Sequence, residues 1–195
     1  MSRVVCLKYL FCGGLFFLVA GPPIKAQPAA KLTLQIVPIG YSSAVSPEAY
    51  LHCSHFHVLL TNTSAVPVAL FEEWNSWGYF GLSFDITYPD RRVVRVAKQP
   101  RVWDKNFAST VTIAPGGFYV FDVDFDPKTW ANSPLREKRT PVREKRPADG
   151  SRCRMRARYT IAPEQSREEN PWSQKGVPIW TGAIASATET YILWP

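Results

Sequence analysis

All three histidines of the chain fall within six residues, at His52, His55 and His57, around Cys53. On a single strand, Cys53, His55 and His57 share a face, and imidazole or thiolate at about 2.0–2.3 Å is what zinc takes. Only two neighbouring side chains of a strand normally reach one ion, and no second His-rich segment completes the set. No metal and no cofactor are therefore expected. His55 and His57 come nearest to a metal pair, and the competing reading is a polar strand face.

A second constellation is acidic and aromatic: Glu72, Glu73, Trp74, Trp77 and Tyr79, followed by Phe80. Rings cover apolar sugar faces, and two carboxylates are the machinery of glycoside hydrolysis. The same residues also serve a small β-domain as core, because Trp and Tyr bury large areas. The patch is the expected ligand surface, with no catalytic residue assigned to it. A third group, Asp122, Asp124 and Asp126, suggests calcium, but same-face positions on a strand lie about 6.6–7 Å apart, too far for one ion to hold all three. The row is expected to face solvent, with cross-strand pairing to arginines such as Arg91, Arg92 and Arg95 as the further option.

Arg152, Arg154, Arg156 and Arg158 occupy alternate positions and form the fourth group. Four like charges on one strand face require acidic cross-strand neighbours or an anionic partner. Ten basic residues against three acidic ones lie between Leu135 and Arg158, as large an excess as the formal +7 of the whole chain. The basicity is local, and no aromatic residue interrupts the basic loop to stack a base, so nucleic acid is not an expected partner. Catalytic signatures are missing: the chain has no Gly-x-Ser-x-Gly elbow, no Gly-rich phosphate loop, no His-Glu-x-x-His and no spaced Cys-x-x-Cys pair. Asn62-Thr63-Ser64 is a glycosylation sequon, relevant in a eukaryotic source.

The compartment is set by the first twenty-six residues. Arg3 and Lys8 flank an apolar run from Tyr9 to Ala20 that Gly21-Pro22-Pro23 ends, too short to span a bilayer. This pattern is a signal peptide cut after Ala26, with Ile24 and Ala26 in the positions that signal peptidase inspects; a cut after Ala20 is the alternative. Cys12 lacks the small preceding residue of a lipobox. The expected product is a secreted or periplasmic chain without a transmembrane anchor, in which Cys53 and Cys153 remain as a candidate disulfide. Closing a loop of about a hundred residues would contribute roughly 4–5 kcal/mol in the chain-entropy account. Register opposes the bridge: Cys153 shares the phase of Met155, Ala157, Tyr159 and Ile161, whereas Cys53 is out of phase with Phe56, Val58 and Leu60.

These groups must be held by strands. Leu32, Leu34 and Ile36 alternate with polar residues, as do Leu82, Phe84, Ile86 and Tyr88, and Tyr119, Phe121, Val123 and Phe125. Further strands are expected near 51–61, 66–71, 92–97, 108–114, 152–162 and 180–193. Seventeen prolines and the lack of a sustained 3.6-residue period exclude long helices. Pro89-Asp90-Arg91 and Ala114-Pro115-Gly116-Gly117 read as turns. The expected fold is all-β, one antiparallel sandwich of about 7–9 strands over 27–195, with a mobile basic loop at 130–150 and a second polar loop at 163–175. Within the first loop Arg136-Glu137-Lys138-Arg139 recurs as Arg143-Glu144-Lys145-Arg146.

The succession Leu60-Thr61-Asn62-Thr63-Ser64 with Pro67-Val68, then Leu82-Ser83-Phe84-Asp85-Ile86, then Thr112-Ile113-Ala114-Pro115-Gly116-Gly117, then Arg156-Ala157-Arg158-Tyr159 resembles bacterial extracytoplasmic immunoglobulin-like modules. It is loosely similar in fold to the bacillar intracellular proteinase inhibitor family. The resemblance covers roughly residues 56–162 and implies an immunoglobulin-like sandwich. The inhibitor family's reactive segment maps onto no residue of this chain, and the basic insertion departs from it. The expected role is a non-catalytic binding or scaffolding module for a protein or glycan in the cell envelope or outside the cell. A proteinase inhibitor presenting 132–150 and a carbohydrate-binding module are the alternatives.

Overall fold

The computed structural model describes residues 31–38, 49–52, 55–135, 151–167 and 177–194. Its elements in chain order are β1 (Leu32–Val37), β2 (Ala49–His52), β3 (Phe56–Asn62), β4 (Val68–Phe71), α1 (Ser76–Tyr79), β5 (Leu82–Thr87), β6 (Val93–Lys98), β7 (Thr110–Ile113), β8 (Phe118–Val123), β9 (Trp130–Ala131), β10 (Ser151–Ile161), β11 (Gly182–Ala185) and β12 (Glu189–Trp194), with a 3-10 turn at Pro163–Arg167. The fold is all-β, and among the described residues no helix is long and apolar enough to cross a membrane. The segment expected to be a leader, Met1 to Ala26, lies outside the described residues.

The strands form three sheets with the orders β1-β3-β8, β2-β12-β10-β5-β6-β9 and β4-β7; β11 also pairs with β10. Among the described strands every pairing is antiparallel except that of β12 with β2, and an isolated parallel bridge joins Ala69 to Ile179. Alternation decides which side of each strand is buried: Leu32, Leu34 and Ile36 of β1, Phe56, Val58 and Leu60 of β3, and Leu82, Phe84 and Ile86 of β5 all face one core. The two larger sheets meet there through aromatic rings. Phe56 lies edge-on to Phe84 at 5.5 Å and to Phe125 at 5.1 Å, and Trp130 closes the group at 5.5 Å from Phe84. Each of these side chains contributes roughly 1.5–3 kcal/mol by leaving water.

Three expectations are modified. The strand expected near 51–61 is two strands, because β2 pairs in the larger sheet and β3 in the smaller one. The strand expected near 180–193 is also two, both on β10. They are joined where Ser186 accepts the Ala157 amide through its hydroxyl at 3.0 Å and donates its own amide to the Ala157 carbonyl at 2.9 Å. The basic loop expected at 130–150 does not begin at Trp130. That residue is buried and forms β9 with Ala131 against β6, because its ring completes the aromatic core. The loop's repeated segment, within 136–150, lies outside the described residues.

Both expected turns form. Asp90 accepts the Arg92 amide at 2.9 Å in the β5–β6 hairpin. In the β7–β8 turn Gly116 takes a φ of 72°, a left-handed conformation that costs glycine nothing sterically. Cys153 is a buried free thiol, which burial pushes up to about 12. Its candidate partner, Cys53, lies outside the described residues.

The larger sheet is cross-linked on its outer face by Asp85, which stands opposite Arg95 of β6 and Arg156 of β10. Arg95 donates to Oδ1 from Nε at 3.0 Å and lies 2.9 Å away through Nη2. Arg156 reaches Oδ2 from Nε and Nη2, both at 3.0 Å, and Arg158 Nη1 approaches the same oxygen at 3.5 Å. Arg95 is therefore not a partner of the Asp122–Asp126 row, and Arg92 pairs with Asp90 at 3.6 Å instead. Desolvation alone would raise the Asp85 carboxyl, but hydrogen bonds and charge from Arg95 and Arg156 outweigh it and hold the group below its ordinary range.

Two outcomes follow for stability. Phe84→Ala lowers the unfolding free energy by about 3–5 kcal/mol in urea titration, as expected for a buried ring at a sheet-to-sheet contact, and a loss under about 1 kcal/mol would contradict this packing. Asp85 is more acidic in the folded chain, so its contribution is complete above about pH 4, the unfolded carboxyl range, and disappears as pH falls through its lowered folded value. Asp85→Asn therefore costs about 1–3 kcal/mol at pH 7, and the difference from wild type shrinks in melts taken below about pH 4. A difference independent of pH would refute the charged clasp.

Candidate functional site

Two loops build the surface around the acidic and aromatic patch. The first leaves β4 at Phe71 and runs through Glu72, Glu73 and Trp74 into α1; the second is the β6–β7 connection from Gln99 to Ser109. Asn75 joins them. Its side chain is fully buried, and Oδ1 accepts the amides of Trp77 at 3.1 Å and Gly78 at 3.0 Å, capping α1. Its Nδ2 donates to the Ser109 carbonyl at 3.0 Å and to the Ser109 hydroxyl at 3.3 Å. Asn106 repeats the link on the outside, accepting the Ser76 amide at 2.9 Å and donating to the Ser76 hydroxyl at 2.8 Å. Gly78 lets α1 close on the strand end, since a Cβ there would stand 2.3 Å from the Glu72 carbonyl oxygen.

This frame divides the five residues of the expected patch. Trp77 is half-buried, its ring 6.4 Å from Phe71, and Tyr79 is buried, so both pack inward as structure. Trp74 is directed outward and meets Phe107 of the second loop edge-on at 4.6 Å. Four large apolar side chains of these loops remain exposed: Trp74 at 40%, Phe80 at 47%, Phe107 at 42% and Val102 at 88%. Cations accompany the rings. Arg101 stands 4.4 Å from the Trp103 centroid and 5.5 Å from that of Tyr79, and Lys98 Nζ stands 4.1 Å from that of Trp130.

The two carboxylates differ. Glu72 Oε2 accepts from the Trp74 indole at 3.1 Å and from the Ser109 hydroxyl at 2.5 Å, which fixes it as a brace between the loops. Burial pushes the Glu73 carboxyl above its ordinary range, against the pull of Lys98 and with a further push from Asp122. Tyr119 of β8 is raised to about 12 by burial and by the charges of Glu73, Glu72 and Asp122. The patch thus carries one internally paired acid and one desolvated acid.

The other candidates are dispersed. His52 sits on β2 opposite Trp194, whereas His57 sits on β3 opposite Asp122, so the histidines belong to different sheets. His57 Nδ1 is 2.6 Å from Asp122 Oδ1, without the alignment of a hydrogen bond, and the His55 ring meets His57 edge-on at 5.3 Å. Among the described residues no group of three metal-ligating side chains occurs. Asp126 accepts the Lys128 amide at 3.1 Å, a local turn contact. Asn62 of the sequon is fully buried. Its Nδ2 donates to the carbonyls of Val66 and Ile113, and its Oδ1 accepts from the Ser64 amide and hydroxyl, which leaves no access for a glycan. Arg152, Arg154, Arg156 and Arg158 project from the outer face of β10, where Asp85 is the acidic neighbour.

Sequence reasoning missed the second loop altogether. Val102, Trp103, Asn106, Phe107 and Ser109 lie about thirty residues from their partners, in a stretch without periodicity. The available signal was its aromatic content between two strands.

No protein-family model matches the chain, and no curated protein or solved structure matches it either.

Proposed function

We propose that the chain is a non-catalytic binding module, an immunoglobulin-like β-sandwich of the cell envelope or exterior, which meets its ligand with the aromatic surface of the two joined loops. One observation carries the reading: Trp74 and Phe107 are exposed yet fixed, in mutual contact at 4.6 Å above a fully buried hydrogen-bonded frame. A soluble domain gains nothing in stability from holding large rings in water, whereas a rigid exposed ring loses little entropy on binding. Aromatic anchors of this kind carry most of the energy at recognition surfaces. The leader supports the compartment, and the internal pairing of Glu72 argues against its use as a glycosidase acid. Of the segment 132–150 that an inhibitor would present, residues 136–150 lie outside the described residues.

The ligand is a protein or glycan with an apolar face. Tryptophan fluorescence titration against a panel of envelope glycans and secreted proteins is the direct assay. The double variant Trp74→Ala/Phe107→Ala is expected to lose binding by tenfold or more while its unfolding free energy changes by less than about 1 kcal/mol, because both rings are largely exposed. Turnover of a glycan or peptide that Glu72→Gln or Glu73→Gln abolishes would overturn the non-catalytic reading. Unchanged binding in the double variant would place the ligand elsewhere.

A further inference from the structure

The outer face of the larger sheet carries a second concentration of chemistry. Three cross-strand rows lie side by side there: Val93, Thr87, Arg154 and Thr190; Arg95, Asp85 and Arg156; Ala97, Ser83, Arg158 and Ala185. Three guanidiniums, those of Arg95, Arg156 and Arg158, converge on one carboxylate, and Arg154 stands next to Arg156 on the same face of β10, where alternate positions lie about 7 Å apart. Cation repulsion at such distances is relieved by counter-charge, and Asp85 supplies only one.

Asp85 also orders the forks. Its side chain is only 12% exposed, yet Arg95, Arg156 and Arg158 keep 52%, 41% and 32% of theirs open to solvent. Arg95 and Arg156 each use Nε and Nη2 on the carboxylate, which leaves the remaining N–H donors of each guanidinium for an outside acceptor. The arrangement is a set of planar donors held in place before any ligand arrives, the geometry that binds oxyanions two bonds at a time.

We infer that this face binds a linear acidic polysaccharide. The charge complementarity is to repeated anions along an extended chain. The hydroxyls of Ser83, Thr87 and Thr190 flank the cations and suit sugar hydroxyls. The three rows contain no aromatic ring for a nucleobase to stack on, and their one exposed large apolar side chain, Val93 at the end of a row, offers too little apolar area to anchor the face in a lipid bilayer.

The test uses the full chain and heparin as the probe, with phosphatidylglycerol vesicles and inorganic polyphosphate as comparison ligands. Wild type is expected to bind heparin with a clear dependence on salt and to bind vesicles and polyphosphate at least tenfold more weakly. Arg154→Gln/Arg158→Gln lowers heparin affinity tenfold or more and reduces the salt slope by about two. The charge-matched Lys31→Gln/Lys128→Gln, at exposed positions off this face and outside the two aromatic loops, changes affinity less than twofold. Should the arginine pair unfold the chain, Arg154→Gln alone, outside the Asp85 contacts, is expected to lose about threefold. No heparin binding, equal losses in the arginine and lysine pairs, or vesicles or polyphosphate bound as tightly as heparin would each overturn the assignment.

Discussion

A single buried amide, Asn75, holds together the two loops that carry the exposed aromatic surface. Its oxygen satisfies two amides that begin α1, and its nitrogen satisfies Ser109 on the other loop. Without Asn75 the two helix amides would lose their partner, at about 1–3 kcal/mol apiece, whereas Ser109 would keep its bonds to the Glu72 amide and carboxylate. Glu72 braces the same junction from outside through Trp74 and Ser109, and the absent side chain of Gly78 lets the helix close on the end of β4. The exposure of Trp74 and Phe107 is thus a property of a hydrogen-bonded frame, and the proposed binding role rests on that frame staying closed.

A recurring pattern is that polar residues which look reactive in the sequence are occupied internally. Asn62 binds the backbone of its own turn and of β7, and Glu72 joins two loops; Asp85, which the sequence does not single out, ties three strands. Buried polar groups must be paired, so a small β-domain draws its functional-looking residues into structure first. What remains outside is apolar at the two loops and cationic on the larger sheet. These surfaces differ in physical character: one offers area and the other offers oriented charge.

Much of the fold was legible because period-two alternation reports burial directly. Leu32, Phe84 and Phe121 fall on the inner face as the pattern requires, and both expected turns form where glycine and proline punctuate the chain. Alternation carries no information about which sheet a strand joins, so the division between β2 and β3 was invisible. Trp130 was read as loop because its neighbours are polar; its burial depends on Phe84 and Phe125, which only the fold brings near. The same limit hid the site. Trp74 was readable as a candidate, but Phe107 and Ser109 become its neighbours through a contact some thirty residues long. Cross-strand charge was misassigned for a related reason: alternation put Arg95 and the Asp122 row each on a polar face, while register placed Asp85 opposite Arg95.

Backbone amide hydrogen exchange at Trp77 and Gly78, followed in the native chain, tests the rigid frame most directly. Their amides end on the buried Oδ1 of Asn75, so the account predicts protection comparable to that of the central β5 amides. Exchange at the rate of an unstructured peptide would show that the loops open freely and would contradict a preorganised aromatic surface.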